Sequence, residues 1–394
     1  MSFLEIVSYA MGEGSGYDEG YSAGYDAGLD ANAYQEGYND GEAAGYEEGY
    51  TAGSGLVKQL ITARGGCTNL FSGSSVTKAD VENLLKFSDT TGVVYFANMF
   101  NNCTNLNELP NLDYSSASNI SGMFNGSGIS GTVSLLNTTP SSAYQAFFNC
   151  VSLQGLSLDL SNINDIQRIC MGCSALKNVT FKFNNTVLSG AVQSYTFSGC
   201  KALENVTFDG SFTLPKNAEI SNMFYDAFKT SSADKTFPYF DTSKVTIIKG
   251  AFACSYGPGE TQVARNTIPL YDFSSVKSLY NLTDVFRDRL IKEFPNIQFS
   301  GLSANDKATL FRNSQYYLFY GNTALEAIHI TNIDCNIYIG VSTQFTREAL
   351  VEIIGNLRDM TGSTAKTLTM GATNLAKLTE DDIAVATDKN WTVA

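Results

Sequence analysis

The chain has little ionic or catalytic chemistry to offer. Only 16% of its 394 residues are charged, it has one histidine (His329) and one tryptophan (Trp391), and just seven prolines. A single histidine, set between Ile328 and Ile330 in what reads as a strand, makes a histidine-based dyad or metal cluster a poor reading; an outward surface residue is the plainer one. No Walker loop, dinucleotide fingerprint, HExxH helix or GxSxG elbow occurs, so neither catalytic residues nor a cofactor or metal site is expected. No run of about 18 apolar residues exists to cross a bilayer as a helix. The start, MSFLEIVSYAM, lacks a basic segment, and Glu5 interrupts its short apolar stretch, so no secretory signal is read there. Basic residues are missing altogether from residues 1–57, which carry eleven of the 39 acids; the remaining 28 acids nearly balance the 25 bases. An acidic head on a near-neutral body speaks against nucleic acid as a partner, because phosphate binding needs a basic face.

What is present is a recurring spacing. Phe147, Cys150, Leu153, Leu156 and Leu158 return as Phe197, Cys200, Leu203, Val206 and Phe208, and in degenerate form as Phe319, Asn322, Leu325, Ile328 and Ile330. The cysteine position falls at Cys103, Ser127, Cys150, Cys173, Cys200 and Ala227, at intervals of 24, 23, 23, 27 and 27 residues. A fixed motif at such an interval implies stacked units that share one interior. Alternation such as Val179-Thr180-Phe181 implies a short strand with one buried face per unit. Phe100, Cys103, Leu106, Phe147, Cys150, Leu153, Cys170, Cys173, Leu176, Phe197, Cys200 and Leu203 are the expected core. Cys170-x-x-Cys173 alone would invite a redox or zinc reading, but Cys173 holds the repeat's cysteine position and Cys170 its phenylalanine position, so both read as small buried hydrophobes.

A second signature fills the other half of some units: Leu109-Pro110-Asn111-Leu112-Asp113-Tyr114-Ser115-Ser116 before Met123-Phe124, then Phe237-Pro238-Tyr239-Phe240-Asp241-Thr242-Ser243 before Ala251-Phe252, and Ile268-Pro269-Leu270-Tyr271-Asp272-Phe273-Ser274. The combined pattern LPxLDxSS…MFxxCxxL resembles the BspA-type leucine-rich repeats of bacterial surface proteins, over roughly residues 67–335. The resemblance implies a leucine-rich repeat solenoid, β-rich with a short strand per repeat, and a non-enzymatic role in adhesion to host cells or extracellular ligands. Cys254, one residue early relative to Phe252, and the stretch Phe286–Phe299 depart from the pattern.

Residues 12–55 are low in complexity. Gly16-Tyr17, Gly20-Tyr21, Gly24-Tyr25, Gly28, Gly37-Tyr38, Gly41, Gly45-Tyr46 and Gly49-Tyr50 recur at tetrad spacing, with a step at Gly28–Gly37 that implies a bend near Asn32. Disorder and a helix with a bare glycine face both suit this composition. Each glycine costs a helix about 1 kcal/mol relative to alanine, so a lone helix is implausible. Tyrosines held in register favour helices that pack on copies of themselves or on a docking partner. Near Val341 the character changes: Thr346 caps a helical pattern, Leu368-Thr369-Met370 reads as a last strand, and Thr379 opens a second short helix.

The sequence therefore divides into a docking or oligomerisation segment (1–55), the repeat solenoid (56–340) and an α/β C-terminal cap (341–394). The tail resembles the closing segment of repeat proteins encoded by phages of Gram-positive gut bacteria. The expectation is a virion fibre or adhesion protein. Residues 1–55 would hold it to itself, for example as a trimer, or to a phage virion protein, and the solenoid would meet a host cell-surface glycan or protein. A bacterial cell-surface adhesin and a purely structural capsid or tail decoration are the alternatives.

Overall fold

The computed structural model describes residues 66–85, 90–232, 234–255, 263–312 and 318–394. The proposed assembly residues Gly16 to Tyr50, and the helical expectation for 1–55, lie outside the described residues. The first element is helix α1 (Lys78–Leu84), closed by a capping box in which the Thr77 hydroxyl accepts from the Asp80 N–H and the Asp80 carboxylate accepts from the Thr77 N–H. Strands β1 (Gly131–Leu135), β2 (Leu153–Asp159), β3 (Asn178–Lys182), β4 (Thr186–Val187), β5 (Asn205–Asp209), β6 (Phe212–Thr213), β7 (Ala218–Glu219), β8 (Val245–Ile247) and β9 (Arg265–Thr267) follow, with a 3₁₀ turn at Leu279–Leu282. Then come β10 (Ile291–Phe294), α2 (Ala304–Leu310), β11 (Ala327–Ile328), β12 (Ile337–Tyr338), α3 (Arg347–Asn356), β13 (Lys366–Thr369), α4 (Ala372–Leu375), α5 (Glu380–Asp388) and β14 (Trp391–Val393).

The expected leucine-rich repeat solenoid is corrected. The strands gather into five separate sheets, ordered β1-β2-β3-β5, β11-β10-β9, β12-β13-β14, β4-β6 and β7-β8, with few helices and much turn and irregular chain. Pairing is parallel throughout. In the largest sheet Leu156 faces Val179 and Val179 faces Val206, while Leu158, Phe181 and Phe208 form the next row. That sheet stops at β5; among the described residues, the following turn, which runs through Ser231 and Lys235, carries no strand there. The guanidinium of Arg265 holds it instead, donating to the carbonyls of Phe228, Ser231, Ser232 and Lys235. Successive phenylalanine positions also drift apart, from 23 residues between Phe124 and Phe147 to 34 between Phe252 and Phe286. Turns of unequal length keep hydrogen-bond register only over short stretches, so the ladder breaks into pieces. Val206 and Phe208 are accordingly half-buried where Val179 and Phe181 are buried.

What does run on is the interior. Buried apolar side chains from Cys67 to Trp391 form one cluster. Its spine is a column of phenyl rings: Phe71, Phe100, Phe124 and Phe147 stack at centroid distances of 5.7, 5.4 and 5.2 Å, and Phe197, Phe224, Phe252 and Phe286 continue at 5.2, 5.8 and 5.5 Å, with Cys170 in the gap. At the far end the last strand is β14 rather than Leu368–Met370. Trp391 is buried there and donates its indole N–H to the Arg358 carbonyl at 2.8 Å. Thr346 and Thr379 cap α3 and α5, and Arg347 forks onto Asp382 at 2.9 and 2.7 Å to tie the two helix starts together.

Candidate functional site

Most turns are shaped by a pair of left-handed residues four positions apart; the turn of Gly250 is an exception, since Cys254 is not left-handed. Asn98 and Asn102, Gly122 and Gly126, Gln145 and Asn149, Arg168 and Gly172, Tyr195 and Gly199, Asn222 and Asp226, and Asp284 and Asp288 all have positive φ. Glycine enters that region freely and Asn and Asp tolerate it; other residues pay roughly 1–2 kcal/mol. Backbone bonds hold the turns in line: Asn98 N–H donates to Ser121 O, Gly122 to Tyr144 O, Tyr195 to Ser221 O, Asn222 to Lys249 O and Gly250 to Thr283 O. The pairing explains where glycine must be. A Cβ added at Gly172 would lie 2.1 Å from Asn149 Oδ1, and one at Gly250 would lie 2.4 Å from Asn222 Oδ1. The amide of one turn occupies the space that a side chain of the next would need.

At three consecutive turns the left-handed position is neither Gly nor Asn but Gln145, Arg168 and Tyr195. These lie on a face where tyrosines and cations interleave. Arg168 donates to the Tyr144 hydroxyl at 3.3 Å, and its guanidinium sits 5.1 Å from the Tyr195 ring centre. Lys249 covers the Tyr280 ring at 2.9 Å, and Arg287 sits 5.1 Å from that of Tyr320. Much of this aromatic surface stays in water: Tyr280 is 66% exposed, Tyr95 48% and Tyr320 42%.

A cleft of about 560 Å³ opens on the same face, lined by Asn222, Tyr225, Lys249, Gly250, Ala253, Cys254, Ser255, Thr283, Asp284, Arg287 and Asp288. The Asn222 amide fills the space beside Gly250 on one side of it, and Ser255 is held in place on the other. Asp226 accepts both the Ser255 N–H, at 2.6 Å, and its hydroxyl, at 2.7 Å. Arg287 lies between two carboxylates, 3.3 Å from Asp288 and 3.7 Å from Asp284. Burial raises the Asp288 carboxyl above its ordinary value, and Arg287 offsets part of that rise.

The core residues proposed from the spacing sit away from this face. Phe100, Cys103, Leu106, Phe147, Cys150, Leu153, Cys170, Cys173, Leu176, Phe197, Cys200 and Leu203 have no exposed surface. The cysteine position also has a polar task. The thiols of Cys103, Cys150, Cys173 and Cys200 donate to the carbonyls of Phe71, Phe124, Phe147 and Cys170, one turn earlier, at 2.9 to 3.0 Å. Where the position becomes Arg289 or Asn322, an N–H serves the matching carbonyl of Phe252 or Phe286. Cys254 falls outside this column, since its backbone bonds to Arg287 as that of Asp226 bonds to Ala253. Burial pushes the Cys67 and Cys335 thiols up to about 12 and that of Cys254 to about 11.

Sequence reasoning passed over two arginines. Arg289 has no exposed surface and spends its guanidinium on the carbonyls of Phe252, Ala227, Phe224 and Ala253. Arg265 is likewise buried; desolvation, with the charge of Arg289 nearby, lowers it to about 10. His329 does have a carboxylate partner, which the sequence did not reveal: its Nδ1 lies 2.6 Å from Glu352 Oε1 in a solvent-facing pair. Among the described residues, no three His, Cys, Asp or Glu side chains are placed to hold a metal ion.

Short parallel strands in five small sheets over one continuous apolar interior, with Phe and Cys positions recurring along the chain, mark a repeat-containing protein. Residues 66–183 and 141–263 match, in two overlapping passes, the family described as "Mycoplasma protein of unknown function, DUF285". The chain belongs to that family. No curated protein and no solved structure gives a significant match.

Proposed function

We propose that this chain is a binding protein rather than an enzyme, and that the face carrying Tyr95, Tyr144, Arg168, Tyr195, Tyr280, Arg287 and Tyr320 recognises the surface of a host or neighbouring cell. The observation that carries the reading is the interleaving of exposed tyrosines with cations on turns whose spacing is fixed by backbone hydrogen bonds. Such side chains supply broad, amphipathic contact area at little cost in conformational entropy, as recognition surfaces require. The thiols contribute no nucleophile to that face, because all eight are buried.

The setting we propose is a virion fibre, with the acidic Gly-Tyr segment at residues 12–55 as the attachment or oligomerisation element. The resemblance of the LPxLDxSS…MFxxCxxL pattern to BspA-type surface proteins supports the adhesive role. A second setting, the surface of a bacterial cell, is favoured by the family's description as a Mycoplasma protein. The test is retention of the labelled full-length chain on Gram-positive gut bacteria and on epithelial cells, compared with a Y144A/Y280A/Y320A variant. Retention by the wild type and at least tenfold less by the variant are expected. No retention on any cell would leave a purely structural decoration role in its place.

A further inference from the structure

We infer that the cleft between the turns of Asn222, Gly250 and Asp284 is a binding site for a short, uncharged oligosaccharide. The inference rests on the recognition reading and gives it a location and a ligand class. Its size suits a ligand of that kind, since pockets of roughly 300–1,000 Å³ enclose small molecules, and this one is about 560 Å³. Its charge is balanced: its lining holds two cations, Lys249 and Arg287, and two carboxylates, Asp284 and Asp288. A phosphate, sulfate or sialic acid entering it would meet two carboxylates, and a cationic ligand would meet an ammonium and a guanidinium. A neutral ligand meets neither penalty.

The polar groups are also of the right kind. A sugar hydroxyl both donates and accepts, so it is best met by acceptors and donors set side by side. Asp284 and Asp288 supply charged acceptors and Arg287 a charged donor held between them. Asn222 and Thr283 add neutral partners. Hydrogen bonds to charged groups are the stronger ones and compensate best for the water a hydroxyl gives up.

The floor supplies the apolar half of the contact. At Gly250, φ is +56° and an added Cβ would lie 2.4 Å from Asn222 Oδ1 and 3.9 Å from Tyr225 Cδ2. That space is filled by the Asn222 amide, and the half-buried Tyr225 ring beside it lines the cleft, a place where the C–H face of a pyranose can lie against an aromatic ring. These features coincide where two adjacent turns differ most in length, so the cleft belongs to this part of the chain and not to every repeat.

The experiment uses the full-length protein on an array of neutral hexose and N-acetylhexosamine oligosaccharides, with sialylated and sulfated ones printed beside them. R287Q, D288N and Y225A are measured in parallel after their urea unfolding has been matched to the wild type, and Y239A, an exposed tyrosine outside both the cleft and the recognition face, serves as control. The wild type is expected to retain neutral glycans, the three cleft variants to bind at least tenfold more weakly, and Y239A to bind normally. No neutral glycan retained, preference for the acidic ones, or unchanged binding in all three cleft variants overturns the inference. Retention on cells is scored separately. Cell binding that survives in the cleft variants while the array stays blank sinks the cleft and spares the recognition reading; absent wild-type cell binding sinks that reading itself.

Discussion

Replacing Gly172 with alanine separates two costs that are usually confounded. Gly172 has φ +82°, and the added methyl would lie 2.1 Å from Asn149 Oδ1 and 3.2 Å from its Cγ. The left-handed backbone alone costs alanine about 1 kcal/mol. Asn149 must also leave its rotamer, at a further ~0.5–1.5 kcal/mol, and surrender its place on the next turn. A loss of roughly 2–3 kcal/mol is therefore expected. Gly131→Ala supplies the reference: φ there is +64° and nothing stands within 4 Å of the added carbon, so only the backbone cost of about 1 kcal/mol applies. The decisive variant is the double change, Asn149→Gly with Gly172→Ala. It removes the obstructing amide and leaves Asn149 Cα at 3.5 Å, an ordinary contact, while glycine accepts the φ of +56° at position 149. Urea unfolding of the full chain, followed by far-UV circular dichroism, should rank the three as Gly172→Ala least stable, with Gly131→Ala and the double variant close together. Equal losses at Gly172 and Gly131, or a double variant no better than the single, would refute the claim that the asparagine amides enforce glycine on the following turn.

Other outcomes follow from the same contacts. Arg289→Met should cost about 3 kcal/mol or more, because it strands buried carbonyls that four guanidinium bonds now serve, and Arg289→Lys should not restore the loss; thermal melting reads both. Ellman's reagent should find no reactive thiol in the native protein and all eight in denaturant, since every cysteine is buried and free. Burial raises the Asp159 carboxyl, but Lys182 at 2.7 Å and Ser161 outweigh it and hold the group below its ordinary 3.8. Its contribution is thus complete above that pH and is lost as pH falls through the depressed value. Asp159→Asn should therefore be less stable than the wild type at neutral pH, with the gap closing in an acid titration below pH 3.8.

The letters that recur in the sequence occupy the interior, and interiors are what spacing reports best. Phenylalanine, cysteine and leucine recur because each turn must fill the same volume against its neighbours. The sheet arrangement was less visible, because it depends on how far adjacent turns match in length. That match is good from Phe124 to Cys170 and fails between Phe252 and Phe286, where no residue type announces the difference. The left-handed pairs left a trace in the Asn and Gly at four-residue spacing, as in Asn98 and Asn102 or Gly122 and Gly126, but Gln145, Arg168 and Tyr195 hide it. The buried arginines were out of reach: nothing local to Arg289 distinguishes it from a surface cation, and its partners lie up to 65 residues earlier. The cleft is invisible for a related reason, since Asn222, Gly250 and Asp284 meet only once the turns are stacked.

The reach of Arg289 bears on how the chain is made. Its guanidinium completes carbonyls at Phe224 and Ala227, laid down some sixty residues before it. A nascent chain that has emerged only as far as those carbonyls carries them without their buried donor, whatever order the earlier turns have reached. Ribosomal synthesis therefore delivers this protein as a stack that closes behind itself, and a product truncated ahead of position 289 keeps a polar wound in its middle rather than a clean, shorter version of the whole.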